Sequence, residues 1–245
     1  MALRIGCDLD GVLADMDAGL LREAEALFGK GVVRRLEESA EAPPPEADPG
    51  DAAASRSETT APAVRLQITS RQERRLWRHI ETVENFWEGL TEIEPGVVKK
   101  LASLAAERRW EIIFLTKRPE SAGATAQVQT QRWLQSKGFE LPSVFVVQGS
   151  RGRIAAALHL DVIIDDRPEN CLDVVMDSKR ARAILVSRGD RVQLPAAAQR
   201  LGIGVVKSVS QCLDVLTQLD GPDKDEPGVM ARVKKLLGLG ESASA

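Results

Sequence analysis

At 245 residues, 43% of them apolar and 28% charged, the chain is long enough for one α/β domain of ordinary size plus an insertion, and it is not a wholly disordered polypeptide. Aromatic residues make up 4% and Tyr is absent, so the core must be built from Leu, Val, Ile and Ala; a net charge of -3 suits neither a nucleic acid duplex nor an acidic membrane surface as partner. The cysteines (Cys7, Cys171, Cys212) and histidines (His79, His159) are too far apart in sequence for a disulfide framework or a zinc pattern, the default compartment is the reduced cytoplasm, and no apolar run is long enough for a signal peptide or a membrane span.

The first element is a buried strand, Leu3–Asp8, an apolar run that ends in acids. Leu20, Leu21, Ala24 and Leu27 then recur at helical spacing within Asp17–Phe28. Residues 37–63 differ sharply: seven acids against the single base Arg56, five prolines and almost no large apolar side chain. Such a stretch buries too little surface to offset its ordering entropy, and it reads as a flexible insertion. A helical pattern resumes at Ser70, taken as the N-cap, and runs to Phe86-Trp87.

From Pro95-Gly96 onward helices and strands alternate. Helices are expected at Val97–Arg108, Ser121–Lys137, Arg151–Leu158, Glu169–Met176 and Val209–Leu219. Strands are expected at Trp110–Leu115, Ser143–Val147, Val162–Ile164, Ala183–Val186 and Gly204–Val206. This alternation predicts a parallel sheet with helices on both faces, joined by right-handed crossovers. After Gly221–Pro227, apolar residues at Val229, Val233, Leu236 and Leu237 suggest a short amphipathic tail helix that packs or caps.

Four groups able to do chemistry follow predicted strands, where open parallel sheets bind ligands. In Asp8-Leu9-Asp10-Gly11, a break from the strand brings two carboxylates to one crevice: Asp8 to attack an electrophile, Asp10 to move a proton, Gly11 to let the backbone turn. The alternative is a turn that is merely acidic. Asp165-Asp166 follows Val162-Ile163-Ile164; adjacent carboxylates at a sheet mouth repel unless a cation or proton intervenes, and with Asp8 they form a hard oxygen site of the kind Mg²⁺ prefers. Thr116 ends a strand, where a hydroxyl and backbone N–H groups can hold phosphoryl oxygens; the alternative is a helix cap, with Lys117 and Arg118 after it as solvent-facing surface residues. Gly149-Ser150-Arg151-Gly152-Arg153 offers fixed positive charge at a helix N-terminus, a place for an anion. No P-loop, dinucleotide fingerprint or GxSxG elbow occurs.

This order of features resembles the haloacid-dehalogenase-like superfamily of phosphohydrolases. Asp8-Leu9-Asp10-Gly11-Val12 looks like its DxDx[VT] motif, Thr116 its second motif and Asp165-Asp166 its acidic fourth motif. The resemblance implies a Rossmann-like core and an aspartyl-phosphate formed on Asp8. It makes Asp10 the acid/base, with its carbonyl on Mg²⁺, Asp165 a direct metal ligand, and Asp166 a ligand or a water holder. It also implies phosphate binding by Thr116, with Lys117 beside it. The usual Lys of the third motif is missing, so Arg151 or Arg153 must stand in, Arg153 being preferred because it opens the apolar helix.

A finer resemblance is to the 5'(3')-deoxyribonucleotidase-like branch, on Asn85-Phe86-Trp87-Glu88-Gly89-Leu90, Glu94-Pro95-Gly96-Val97 and Ile164-Asp165-Asp166-Arg167-Pro168-Glu169-Asn170. It implies a core of residues 1–15 and 91–220, a small helical cap of residues 16–90 that carries the insertion at about 37–64, and a tail helix at 221–245. Phe86 and Trp87 would stack on a base or close over the phosphate, or else form the apolar face of a cap helix. The substrate implied is a small phosphorylated metabolite, a nucleotide among the candidates. A protein that binds a phosphorylated ligand and turns over little is the alternative, and a phosphomutase a third reading.

Overall fold

The computed structural model of the protein describes residues 3–30, 68–188 and 201–220. The insertion expected at about 37–64 and the tail helix expected over 221–245 lie outside the described residues.

Six strands form one parallel sheet: β1 (Arg4–Asp8), β2 (Glu111–Thr116), β3 (Ser143–Val146), β4 (Val162–Asp165), β5 (Arg182–Val186) and β6 (Gly204–Val206), in the order β3-β2-β1-β4-β5-β6. The described helices are α1 (Met16–Phe28), α2 (Ser70–Ile80), α3 (Val97–Arg108), α4 (Ala126–Ser136), α5 (Arg151–Ala157), α6 (Pro168–Asp177) and α7 (Val209–Leu219), with a 3₁₀ turn at Phe86–Gly89. Side chains alternate across a strand, and both faces of the sheet are apolar, as a parallel sheet requires. Ile5, Cys7, Val162 and Ile164 join a core with Leu20, Leu101, Trp133 and Leu213, so α1, α3, α4 and α7 cover one face. Ile163 and Leu185 join the other core with Ala155 and Val174 of α5 and α6. Gly6 lies on this second side because there is room for nothing larger: a Cβ there would stand 2.5 Å from Ile163 Cδ1.

Most element boundaries fall within about a residue of expectation, and three differences have a visible cause. The N-cap of α2 is Thr69 rather than Ser70: its hydroxyl accepts from the Gln72 N–H and the Gln72 side chain accepts from the Thr69 N–H, a reciprocal capping box. The helix stops at Ile80 instead of reaching Trp87, because the chain turns through Glu81–Asn85, where Asn85 takes φ +49°. Helix α4 begins at Ala126 rather than Ser121, since residues 121–125 form a turn with Gly123 at φ +92° and with the Ala124 N–H donated to Asn85 Oδ1.

Candidate active site

The strand order reverses between β1 and β4, which lie side by side with Cys7 opposite Ile164. At such a reversal the connecting chains leave toward opposite sides and a crevice opens beyond the carboxyl ends of the strands. Asp8 ends β1 and Asp165 ends β4, so two carboxylates distant in sequence arrive at one rim. Asp8, Asp165 and Asp166 each place a carboxylate oxygen so that all three lie within 4.8 Å of one another. Gly11 makes the turn after β1 possible in two ways. Its φ is +88°, and a Cβ would fall 2.1 Å from Asp166 Oδ2.

Arg151 supplies the cation for this cluster. Its side chain is buried, Nη2 donates to Asp8 Oδ1 at 2.5 Å, and Nε lies 3.6 Å from Asp165 Oδ2. Its Nε and Nη1 make no hydrogen bond among the described residues. Asp165 also accepts from the Arg167 N–H and from the Asn170 side chain. Burial pushes the Asp8 carboxyl well above the ordinary carboxylate range, the charge of Asp165 pushes it further, and Arg151 only partly opposes this. Asp165 is raised as well, by burial, against the pull of Arg151 and its hydrogen bonds.

Of the two arginines, the structure brings Arg151 to the cluster and not Arg153, correcting the preference drawn from the sequence. The Arg153 side chain is 87% exposed, and its ion-pair partner among the described residues is Asp177, at 3.9 Å. Helical geometry separates them: Arg151 shares the inner face of α5 with Ala155, one turn on, whereas Arg153 is rotated outward. The anion expected at the α5 N-terminus is already there as protein. Asp173 accepts from the Gly152 N–H and from the Ser150 hydroxyl, which itself caps the Arg153 N–H. These hydrogen bonds hold the Asp173 carboxyl below its ordinary range although its partial burial acts the other way.

Asp10 is held differently from Asp8. Arg118 grips both its oxygens, with Nε at 3.1 and 2.9 Å and Nη2 at 2.8 Å, and Thr116 Oγ1 donates to Oδ2 at 3.0 Å. Arg118, read from the sequence as solvent-facing, is 1% exposed. Thr116 is buried too, and its hydroxyl is engaged with Asp10 while accepting from the Arg118 N–H. Lys117 lines the crevice beside them.

Phe86 and Trp87 do not face the crevice. They are 2% and 0% exposed and pack edge to face, with the Trp87 indole N–H donated to the Pro119 carbonyl. Phe86 also packs near Gly19 of α1. The expectation that they stack on a base gives way to the apolar-face reading: their surface is already spent on the core. The crevice is lined instead by Asp8, Asp10, Lys117, Arg151, Asp166 and Arg167, among others.

The donor set suits a hard divalent cation. Three carboxylates converge beside the buried guanidinium of Arg151, and every donor is oxygen. Carboxylates this close do not all ionise unless positive charge is brought among them.

No family model matches the chain, and none of the curated proteins does. Among solved structures, a HAD family hydrolase from Deinococcus radiodurans R1, crystallised with bound phosphate and sodium, is 16% identical with a TM-score of 0.49, over 89% of this chain and 96% of that one. A haloacid-dehalogenase-like hydrolase from Xanthomonas campestris is 14% identical with a TM-score of 0.48, over 96% of this chain and 94% of that one. Likeness at this level leaves the chemistry to the site's own residues.

Proposed function

We propose that the protein is a Mg²⁺-dependent phosphomonoester hydrolase of the haloacid-dehalogenase-like kind, with Asp8 as nucleophile. The observation that carries this reading is the meeting of Asp8, Asp165 and Asp166 beside a buried arginine with two donor nitrogens, Nε and Nη1, free of hydrogen bonds among the described residues. A nucleophilic carboxylate, a hard-cation site and a fixed guanidinium in one crevice are what phosphoryl transfer asks of a protein. Asp8, Asp165 and Asp166, with the Asp10 backbone carbonyl, would hold the metal. When bound, it would neutralise the clustered carboxylates and draw charge from the phosphoryl oxygens.

In the first half-reaction an Asp8 oxygen bonds to phosphorus, the bond from phosphorus to the ester oxygen breaks, and Asp10 passes a proton to the departing alcohol. In the second, water attacks the phosphorus, gives a proton to Asp10 and releases phosphate from Asp8. Arg151 binds the equatorial oxygens through Nε and Nη1, with Lys117 as a second cation and Thr116 holding Asp10 in place. Arg153, exposed on the far side of α5, has no part in this scheme. The substrate is a small phosphorylated metabolite. The residues that resemble the 5'(3')-deoxyribonucleotidase-like branch make a nucleotide the first to try, and residues 16–90 are proposed as the cap over a core of 1–15 and 91–220. The cysteines are free and buried, which suits the cytoplasm, and no described helix is long and apolar enough to cross a membrane.

The test is release of phosphate from p-nitrophenyl phosphate with and without Mg²⁺, followed by a panel of sugar phosphates and nucleotides. Asp8→Asn should abolish turnover without lowering the melting temperature. Undiminished turnover in that variant would refute the mechanism.

A further inference from the structure

A guanidinium is costly to bury unless its N–H groups are all directed at acceptors and its charge is matched. Each of the three guanidinium nitrogens of Arg118 donates to an acceptor, and the Asp10 carboxylate matches its charge. Nε and Nη2 bind the Asp10 carboxylate from one side, and Nη1 donates to Thr130 Oγ1 at 2.9 Å. The faces of the guanidinium are occupied as well: its Cζ lies 4.9 Å from the Trp87 ring centroid and 6.0 Å from that of Trp133. Both indoles are themselves fixed, Trp87 by the Pro119 carbonyl and Trp133 by that of Leu90. The planar fork therefore has one orientation open to it, and that orientation is aimed at Asp10.

Resting on the phosphohydrolase reading, we infer that Arg118 is the positioning residue for the proton-transferring carboxylate. Clamped by Trp87, Trp133 and Thr130, it holds Asp10 in the single rotamer from which the carboxyl group meets the departing oxygen. Asp8 has a different partner, Arg151 Nη2 at its Oδ1, and its backbone ends a strand paired on both sides. Asp10 stands in the turn beyond β1, among Gly11, Val12 and Leu13, and without Arg118 its carboxylate would keep only the Thr116 hydroxyl, at Oδ2, of the side-chain partners described above. The proton transferred in each half-reaction is the one described above; Arg118 neither gains nor loses one and touches neither substrate nor phosphorus.

The role is separable from a merely structural one by the leaving group. Phenyl phosphate and p-nitrophenyl phosphate differ little in shape, but the nitrophenolate departs readily without a proton and the phenolate does not. Arg118→Lys keeps the charge and loses the two-pronged grip. It should lower the single-turnover rate of phenol release from phenyl phosphate by about 100-fold, the usual worth of a placed acid, and that of nitrophenolate release from p-nitrophenyl phosphate only several-fold; single turnover isolates the first half-reaction, because the second uses Asp10 equally for both esters. Thr130→Val removes the hydroxyl behind Nη1 without altering side-chain volume, and should give the same inequality at about a tenth of the size. Mg²⁺ should raise the melting temperature of both variants as it does that of the parent, because Asp8, Asp165 and Asp166 are untouched.

Equal loss on the two substrates in either variant, or no loss in both, would overturn the positioning role while leaving the phosphohydrolase reading standing. If Arg118→Lys does not fold, Thr130→Val decides alone. Parent protein that releases no phosphate from either ester in Mg²⁺ overturns the phosphohydrolase reading, and the role of Arg118 with it.

Discussion

Arg151 and Arg153 are two residues apart and have opposite surroundings, which makes them a sharp pair for testing the site. Arg151 lies between Asp8 and Asp165 and has donors left for an anion. Arg151→Ala should cut phosphate release by at least about 100-fold, the usual loss when a group that stabilises transition-state charge is removed. Arg153→Ala, at an exposed position with a long ion pair, should leave turnover within a factor of about two and stability within about 0.5 kcal/mol. Steady-state kinetics of the two variants, checked against urea unfolding, would settle it; equal losses would remove Arg151 from the phosphate site. The carboxylates were legible in the sequence because each follows an apolar run that can only be a strand. Choosing between the arginines needed the face of α5, and Ala155 one turn beyond Arg151 was the available signal. Arg118 left no local signal, because its partner Asp10 lies 108 residues away in the chain.

At the scale of elements, α5 and α6 are locked together around the arginine they deliver. Gly152 sits so close to α6 that a Cβ would stand 2.2 Å from the Asp173 carbonyl oxygen and 2.6 Å from Asp177 Cβ. Its N–H and the Ser150 hydroxyl both reach the Asp173 carboxylate. Gly152→Ala must push α5 off α6, since backbone cannot yield as a flexible side chain does. It should cost about 2 kcal/mol of unfolding free energy. Because Arg151 is the neighbouring residue, the same shift should lower kcat as well. Urea unfolding and kinetics on one preparation would check both, and an unchanged urea midpoint would show that the helices have slack. The sequence predicted a helix here from its alanines but not how closely it packs, since periodicity reports which face is apolar and not the distance to the next helix. The same limit explains the shortened α2 and α4. Their ends are set by Asn85, which accepts the N–H of Ala124, a contact between segments that no local pattern encodes.

Across the whole molecule, the carboxylate cluster lies at the centre of the sheet, where its two halves meet. β2 and β3 lie on one side of β1, and β5 and β6 lie beyond β4, so carboxylate repulsion at the β1–β4 junction acts where the halves meet. Asp8 and Asp165 both titrate above the ordinary carboxylate range in the folded chain, chiefly through burial. For such groups the sign is fixed. At a pH below the ordinary range both states are protonated and folding pays nothing. As pH rises the unfolded chain ionises first, and stability is lost until the folded-state carboxyls have ionised too. The metal-free protein should therefore lose melting temperature as pH is raised from the ordinary carboxylate range toward neutrality. Mg²⁺ should counter the loss, more strongly at higher pH, because the cation competes with protons for the same oxygens. A ligand at 100 times its dissociation constant adds about 2.7 kcal/mol to folding, a shift easily seen by calorimetry. Asp165→Asn should reverse the pattern, since one charge fewer relieves the repulsion. Its metal-free form should melt above the parent at neutral pH, and added Mg²⁺ should move it little. A parent protein whose melting temperature does not respond to Mg²⁺ at any pH would mean that the three carboxylates are compensated by the protein alone.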